Sequence, residues 1–398
     1  MSTPSEQFPS RRPTFAEVDL RAFDRNLEQV RRRLPEGSRM IAVLKADAYG
    51  HGAVELARRC AGVASGIAVA LLEEALELRD AGIDLPILIL GPLTAPQFDL
   101  VFERGLVAGI VGQEEMEAFA ARARATGWNG EIHLKLDSGM GRMGFRPEDL
   151  ERLALELQVL RGVRVAGIYT HFANASDPAD PYTEEQVQRF ESMLGRLREL
   201  GVDAPLHHLA NSAAIVRGLV RPGEWVRAGI VLYGAEPLDQ GGARLEPLLR
   251  WTTRIARVKS LPPGSPVGYG RTFVTARPSR IATLPVGYAD GYSRNLSGRA
   301  DVLVRGRRAP VVGRISMDLV TVDVTGVPGV LAGDEVTLLG RDGGEEIAAE
   351  ELAATLGTIS YEVLCAVGGR VPRLYRDGER VRLRERRGSE AEAPAAGE

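Results

Sequence analysis

The chain has 398 residues, with 50 Lys plus Arg against 53 Asp plus Glu and a formal net charge of −3. Hydrophobic residues make up 44% and charged residues 26%, which excludes a disordered chain; the even balance without basic blocks argues against nucleic acid or an anionic membrane as partner. Two cysteines, Cys60 and Cys365, make no disulfide framework, the opening MSTPSEQFPSRRPTFAEVDL has no signal-peptide core, and no apolar run is long enough to span a bilayer, so a cytoplasmic protein is expected.

The length exceeds one typical core and predicts two domains. Residues 1–20 contain TFAEVDL, which reads as a strand that packs with the later domain. Over 21–242, short β-branched runs alternate with longer amphipathic stretches. The runs are MIAVL (40–44), GIAVA (66–70), PILIL (86–90), LVAGI (106–110), EIHLKL (131–136), VRVAGIYT (163–170), PLHHLA (205–210) and EWVRAGIVLY (224–233). Between them lie helical segments such as LLEEALELRDAG and TEEQVQRFESMLGRLRELG, with apolar residues three and four apart and Gly at the end. Eight strands with intervening helices give the arithmetic of a (β/α)8 barrel, with a doubly wound sheet as the alternative. From 243 to 382 short strands alternate with Gly/Pro turns, and a helical period returns only in EEIAAEELAATLG (345–357), so a β-rich domain is expected. The low-complexity stretch 383–398 reads as a disordered tail.

Of the 50 basic residues only three are Lys: Lys45, Lys135 and Lys259. Arg replaces Lys cheaply on a solvated surface. It cannot replace Lys where an amine must become neutral, since a guanidinium stays protonated. Lys259, in the strand-to-turn RVKSLPPG, reads as a chance survivor. Lys45, in AVLKADAYGHG (42–52), falls at the C-terminal end of the first barrel strand, where barrel active sites are built. There partial desolvation depresses its pKa toward a nucleophilic amine. Tyr49 in the following turn can offer a hydroxyl to an anion.

Lys135 opens a second motif, HLKLDSGMGRMGF (133–145), in which Arg142 can clamp an oxygen across two glycines. A third group sits at strand ends: His171 in YTHFANAS, Asn211 and Ser212 in HHLANSAA, Arg227 and Tyr233 in WVRAGIVLYG. Loops after strands seven and eight commonly hold phosphate. No His/Cys/Asp/Glu spacing suits a metal. Amine, phosphate site, ring partner and cation at one barrel end suit an aldehyde cofactor with a phosphate handle, pyridoxal phosphate.

These residues resemble those of the alanine racemases, over about residues 12–380. The motifs that carry the resemblance are AVLKADAYGHG, LKLDSGMGRMG, THFANAS, ANSAA, RAGIVLYG, VGYGRTF, LPVGYADGYSR, GRISMDLVTVDV and SYEVLC. The resemblance implies that Lys45 holds pyridoxal 5′-phosphate through its amine, that Tyr49, Asn211, Ser212, Gly229, Ile230 and Tyr361 surround the phosphate, and that Arg142 meets the phenolic oxygen. It implies that His171 lies beside the ring and Arg227 meets the pyridine nitrogen. Tyr269 matches the second catalytic base, brought by the partner subunit. Met317 matches a substrate-carboxylate contact, Tyr288 lies at the mouth, and Lys135 matches a carbamylated lysine that orients Arg142. The implied activity is interconversion of L- and D-alanine by Lys45 and Tyr269 on opposite faces of the Cα, in an obligate homodimer, supplying D-alanine for peptidoglycan. Two rivals share the barrel: a cofactor carrier, which has no use for VGYGRTF and SYEVLC, and a decarboxylase, which would place an acid where Arg227 stands.

Overall fold

The computed structural model describes residues 12–160, 162–235, 245–384 and the backbone of 390–392. The expected domain boundary at 242, residues 1–11 and most of the expected tail lie outside the described residues.

Strand β1 (Phe15–Asp19) comes first. Strands β2 (Arg39–Val43), β3 (Gly66–Val69), β4 (Ile87–Ile89), β5 (Val107–Ile110), β6 (Glu131–Lys135), β7 (Arg164–Tyr169), β8 (Leu206–His208) and β9 (Trp225–Ala228) follow. β2 to β9 form one all-parallel ladder in the order β8-β7-β6-β5-β4-β3-β2-β9. At the seam between β8 and β9 the Arg227 N–H donates to the Ala210 carbonyl at 2.9 Å, which leaves the barrel nearly closed. Strands such as β3 and β4 are buried at every position, because helices cover the outer face and side chains fill the interior. That double burial is why they read as continuous apolar runs.

The last predicted strand divides. β9 ends at Ala228, and Ile230–Tyr233 forms a 3₁₀ turn after Gly229 leaves extended geometry at φ −106°, ψ −113°. Two of the helices, Gln113–Thr126 and Ala349–Leu356, end at a glycine of positive φ, Gly127 and Gly357.

The second region is β-rich. Its strands are β10 (Leu249–Arg254), β11 (Arg257–Leu261), β12 (Pro266–Val267), β13 (Phe273–Val274), β14 (Ser279–Leu284), β15 (Asp301–Val304), β16 (Arg307–Pro310), β17 (Val320–Asp323), β18 (Glu335–Asp342), β19 (Glu345–Ile347), β20 (Arg373–Asp377) and β21 (Arg380–Arg384). Glu345–Ile347, the start of the expected helix, pairs with β18, and the helix itself is Ala349–Leu356. Leu383 and Arg384, the first residues of the expected tail, belong to β21, and 390–392 pair with it.

β1 lies between β10, antiparallel, and β20, parallel, so the start of the chain is built into the C-terminal sheet. Asp19 then ends β1 and caps the helix Leu20–Arg33, its carboxylate accepting the Ala22 N–H at 3.0 Å. One continuous apolar core runs through both regions, from Leu56 to Val302.

Candidate active site

Lys45 leaves the end of β2 into a turn of unusual hand. Ala46, Asp47, Ala48 and Tyr49 all have φ between 51° and 55°, a left-handed helical turn without glycine. That conformation costs about 1–2 kcal/mol per residue, so the surroundings must impose it. Ala48 N–H donates to the Leu44 carbonyl and Gly50 N–H to Ala46, each at 2.9 Å. The Glu74 carboxylate accepts the Ala46 N–H at 2.6 Å, and Asp47 accepts the Ala53 N–H at 2.8 Å. The turn carries Lys45 at one end and Tyr49 at the other, with the Lys45 amine 6.0 Å from the Tyr49 ring centre.

Tyr49 points at the start of the Ile230–Tyr233 turn. A Cβ on Gly229 would meet the Tyr49 hydroxyl at 2.8 Å and Ser212 Oγ at 3.5 Å. A side chain there would fill the space, so glycine keeps a cradle open. Ser212 Oγ accepts the amides of Gly229 at 3.0 Å and Val231 at 3.3 Å, with the Ile230 amide between them. Asn211 caps the short helix Ser212–Val216 through Ala214 N–H. Tyr361, on the helix Ser360–Ala366, packs edge-on to Tyr49 at 6.0 Å. Hydroxyls and amides converging on a gap fit a phosphate, so the residues present fit the phosphate end of a pyridoxal group.

Arg227 is 4% exposed, at the end of β9. Its Nη1 donates to His208 Nδ1 at 2.9 Å and to the His208 carbonyl at 2.5 Å. Its Nη2 donates to the Thr170 carbonyl at 2.6 Å, the Leu209 carbonyl at 3.1 Å and His171 Nδ1 at 3.2 Å. Burial lowers its pKa to about 10, so it remains a cation at neutral pH.

Burial, then Arg142, lowers the Lys45 ammonium below the ordinary lysine range. Burial pushes Lys135 down to about 8, with Arg142 and Arg227 adding to it. His171 falls to about 2 through burial, then Arg227 and Lys135, so it is neutral. Arg142 is exposed, in the loop held by Asp137, whose carboxylate accepts the Gly139 and Gly141 amides. Lys259 is exposed on β11, outside this cluster.

Tyr269, Tyr288 and Met317 do not join the cluster within the chain. All three are exposed on the β-rich region, Tyr269 at 71%. Tyr288 and Met317 share one surface, because the Tyr288 N–H donates to the Ser316 carbonyl and the Ala289 N–H to the Met317 carbonyl, both at 3.1 Å.

Two contributors escape the reading of the sequence. His208 orients Arg227, and its ring stacks on Tyr169 at 4.7 Å with 6° between planes. Tyr169 in turn faces the Lys135 amine at 5.9 Å and Arg227 at 5.4 Å. The only hint in the sequence is that both sit at strand ends.

The profile described as alanine racemase, N-terminal domain, matches residues 18–237, and the alanine racemase C-terminal domain matches 248–375. The chain is 42% identical over 371 residues to the alanine racemase of Halothermothrix orenii, covering 92% of this chain and 97% of that protein. Against the alanine racemase of Desulfovibrio desulfuricans it is 44% identical over 367 residues, with 92% and 98% covered. The crystal structure of alanine racemase from Bacillus anthracis with bound L-Ala-P superposes with a TM-score of 0.87 at 36% identity, over 93% of this chain and 97% of that one.

The chain belongs to the alanine racemase family.

It is therefore an enzyme of the isomerase class. The alanine racemase N-terminal match contains Lys45, Lys135, Arg142, His171 and Arg227; the C-terminal match contains Tyr269, Tyr288, Met317 and Tyr361. The barrel with its β-rich companion is the alanine racemase architecture, which removes the doubly wound alternative. Among the described residues no helix is long and apolar enough to cross a membrane.

Proposed function

We propose that this alanine racemase binds pyridoxal 5′-phosphate at Lys45 and interconverts L- and D-alanine in a homodimer by two bases, Lys45 and the partner subunit's Tyr269. Pyridoxal phosphate bound there supplies a conjugated ring that takes up the electron pair left when the α-proton departs.

The observation that carries this reading is the Arg227 guanidinium at the barrel mouth, buried and with no ion pair among the described residues. A guanidinium cannot readily give up a proton to a ring nitrogen. It therefore leaves that nitrogen unprotonated and the electron sink shallow, which favours prompt return of a proton to Cα. A decarboxylase needs the opposite, an acid at that place.

The remaining residues take definite tasks. Tyr49, Asn211, Ser212, Gly229, Ile230 and Tyr361 bind phosphate, through hydroxyls, amides and the short helix that Asn211 caps. Arg142 binds the phenolic oxygen, and Lys135 orients Arg142, as a carbamate that removes a buried positive charge. His171, neutral and bonded to Arg227, lies beside the ring. The Lys45 amine would hold or take a proton on one face of Cα, and Tyr269 would do so on the other. Lys45 serves the D-enantiomer and Tyr269 the L-enantiomer. The Met317 backbone meets the substrate carboxylate, and Tyr288 narrows the mouth. The exposure of Tyr269, Tyr288 and Met317 on a single chain supports a shared site, since large apolar groups grouped on a surface mark an interface.

The test is incubation of the cofactor-loaded protein with L-alanine, D-alanine, serine and lysine in heavy water. Chiral chromatography scores inversion and mass spectrometry scores α-deuteration. D-alanine carrying deuterium at Cα is expected from L-alanine. Cofactor binding without inversion or exchange would indicate a carrier, and carbon dioxide from lysine a decarboxylase. Lys45→Ala should lose covalent cofactor attachment, whereas Tyr269→Phe should keep it and lose racemisation.

A further inference from the structure

Asp290 lies in the YADG loop after β14, and its side chain is 0% exposed. Four donors surround the carboxylate. Arg12 grips it twice, Nη1 to Oδ1 and Nη2 to Oδ2, each at 2.6 Å. The Gly287 N–H reaches Oδ2 at 2.9 Å, and Arg370 Nε lies 3.5 Å from Oδ1. Arg12 also donates to the Pro285 carbonyl through Nε at 3.1 Å and Nη2 at 2.6 Å, and Thr14 Oγ1 donates there at 3.0 Å. Burial pushes the Asp290 carboxyl up, but Arg12 and Gly287 outweigh it and hold the group ionised. A buried carboxylate with this many donors is fixed in place.

Three segments meet there. One is the Tyr288–Met317 surface, because a Cβ on Gly287 would lie 2.3 Å from the Met317 carbonyl oxygen. The second is the stretch after Ser360–Ala366, the helix of Tyr361, since the Gly368 N–H donates to the Asp290 carbonyl at 2.8 Å. Gly291, at φ 105°, presses on the Ala366 carbonyl where a Cβ would come within 1.9 Å. The third is the Lys45 turn, reached through Arg373. This buried guanidinium donates to the Gly50 carbonyl at 3.0 Å, to Gly368 at 2.7 Å, and to Val371 and Val367 at 2.6 and 2.5 Å.

We propose that Asp290 and Arg373 are positioning residues that form one buried strut, joining the Lys45–Gly50 turn and the Tyr288–Met317 surface through the shared segment 366–371. This rests on the reading that Lys45 serves its own barrel while Tyr288 and Met317 serve the partner's. Each chain then carries two half-sites belonging to different active sites, and the strut fixes the spacing between them. Asp290 sets how the chain presents Met317 to the substrate carboxylate bound in the other barrel.

Asp290→Asn is the decisive variant. The amide oxygen can still accept from Gly287, but its NH₂ then faces Arg12, whose guanidinium loses its counter-charge, while Arg370 keeps Asp318 at 2.7 Å. Amide hydrogen exchange on the full chain should rise at 287–292, 316–319 and 366–371 while the barrel strands stay protected. The KM for alanine should rise ~10-fold with a smaller change in kcat, as for loss of a buried charged hydrogen bond. Arg12→Gln, which keeps the carboxylate and its Gly287 bond, should give a weaker version of both effects if Asp290→Asn does not fold.

Mixed dimers locate the effect. When Asp290→Asn and Lys45→Ala are in the same chain, the one working Lys45 belongs to the other chain, and the raised KM is expected. When they are in different chains, KM should stay normal. Unchanged exchange at 287–292 and 366–371 in both variants would overturn the strut. Raised exchange with a KM effect that follows the variant chain's own Lys45 would keep the strut and overturn the shared-site reading.

Discussion

The Arg227 guanidinium donates to Nδ1 of His208 at 2.9 Å, and that one bond sets the protons of two histidines. A guanidinium only donates, so His208 Nδ1 accepts and its proton sits on Nε2. Nε2 then donates to His133 Nδ1 at 2.7 Å, which leaves the His133 proton on Nε2. Both rings are neutral, in fixed tautomers, behind the Arg227 cation.

That neutrality makes the protein acid-sensitive. Burial lowers His51 and His133 to about 4 each, and drives His208 well below its ordinary value. The unfolded chain binds these protons near pH 6.5, the folded one only well below that. The stability from keeping them neutral is complete above pH 6.5 and is lost as pH falls toward 4. Each proton contributes a slope of about 1.4 kcal/mol per pH unit in that window. Urea unfolding at steps from pH 7 to 4.5 should show this fall, and His133→Asn should flatten it. An equal slope in the variant would contradict the assignment.

The left-handed turn predicts a stabilising glycine. Ala46 is exposed at φ 55°, where an alanine is strained and a glycine is not. Ala46→Gly should raise stability by about 0.5–1 kcal/mol, read as a higher urea midpoint. Glu74→Ala, which removes the acceptor for the Ala46 amide, should lower it. A midpoint that drops in Ala46→Gly would mean the turn is not strained as described.

Gly291 predicts the reverse. Its φ of 105° and the 1.9 Å approach of a Cβ to the Ala366 carbonyl leave no room for a methyl group. Gly291→Ala should cost about 2–4 kcal/mol, seen as a fall in thermal midpoint and soluble yield.

Lys135 titrates at about 8, so an appreciable share is neutral amine in mildly basic buffer. A neutral amine adds carbon dioxide, and the carbamate would sit among Arg142, Arg227 and Lys45. Protein equilibrated with ¹³C-bicarbonate at pH 8 should show a carbamate carbon resonance that Lys135→Ala removes. Its absence in the parent protein would leave Lys135 an unmodified buried amine.

The sequence displays the barrel because strands buried on two faces must be apolar throughout, so MIAVL or PILIL shows without any knowledge of neighbours. It misreads Ile230–Tyr233 for the same reason: a buried 3₁₀ turn needs the same apolar residues as a buried strand, and the bend at Gly229 leaves no distinct pattern. The hand of Ala46–Tyr49 has no signal at all, since alanine usually marks the opposite hand. His208 passes unnoticed because its partners, Arg227 and His133, lie 19 and 75 residues away. Arg12 and Asp290, 278 residues apart, are further still from any local rule. The motif residues of the barrel mouth are legible because Lys is rare in this chain and glycines flank them.

The position of β1 between β10 and β20 has a consequence for how the chain is made. Phe15–Asp19 leaves the ribosome well before its parallel partner, which ends at Asp377. At ordinary elongation rates roughly 20–70 s separate the two. During that interval the barrel can close on the helix that Asp19 starts, while β1 hangs from it with both edges bare until β10 is made, and with the other edge bare until β20 follows. A cut between the two regions would strand β1 on the wrong half, and the fragment from 245 onward would lack the strand that joins β10 to β20. The two halves recognised as separate domains are therefore one unit of synthesis, in which β20 completes a sheet that β1 began about 350 residues earlier.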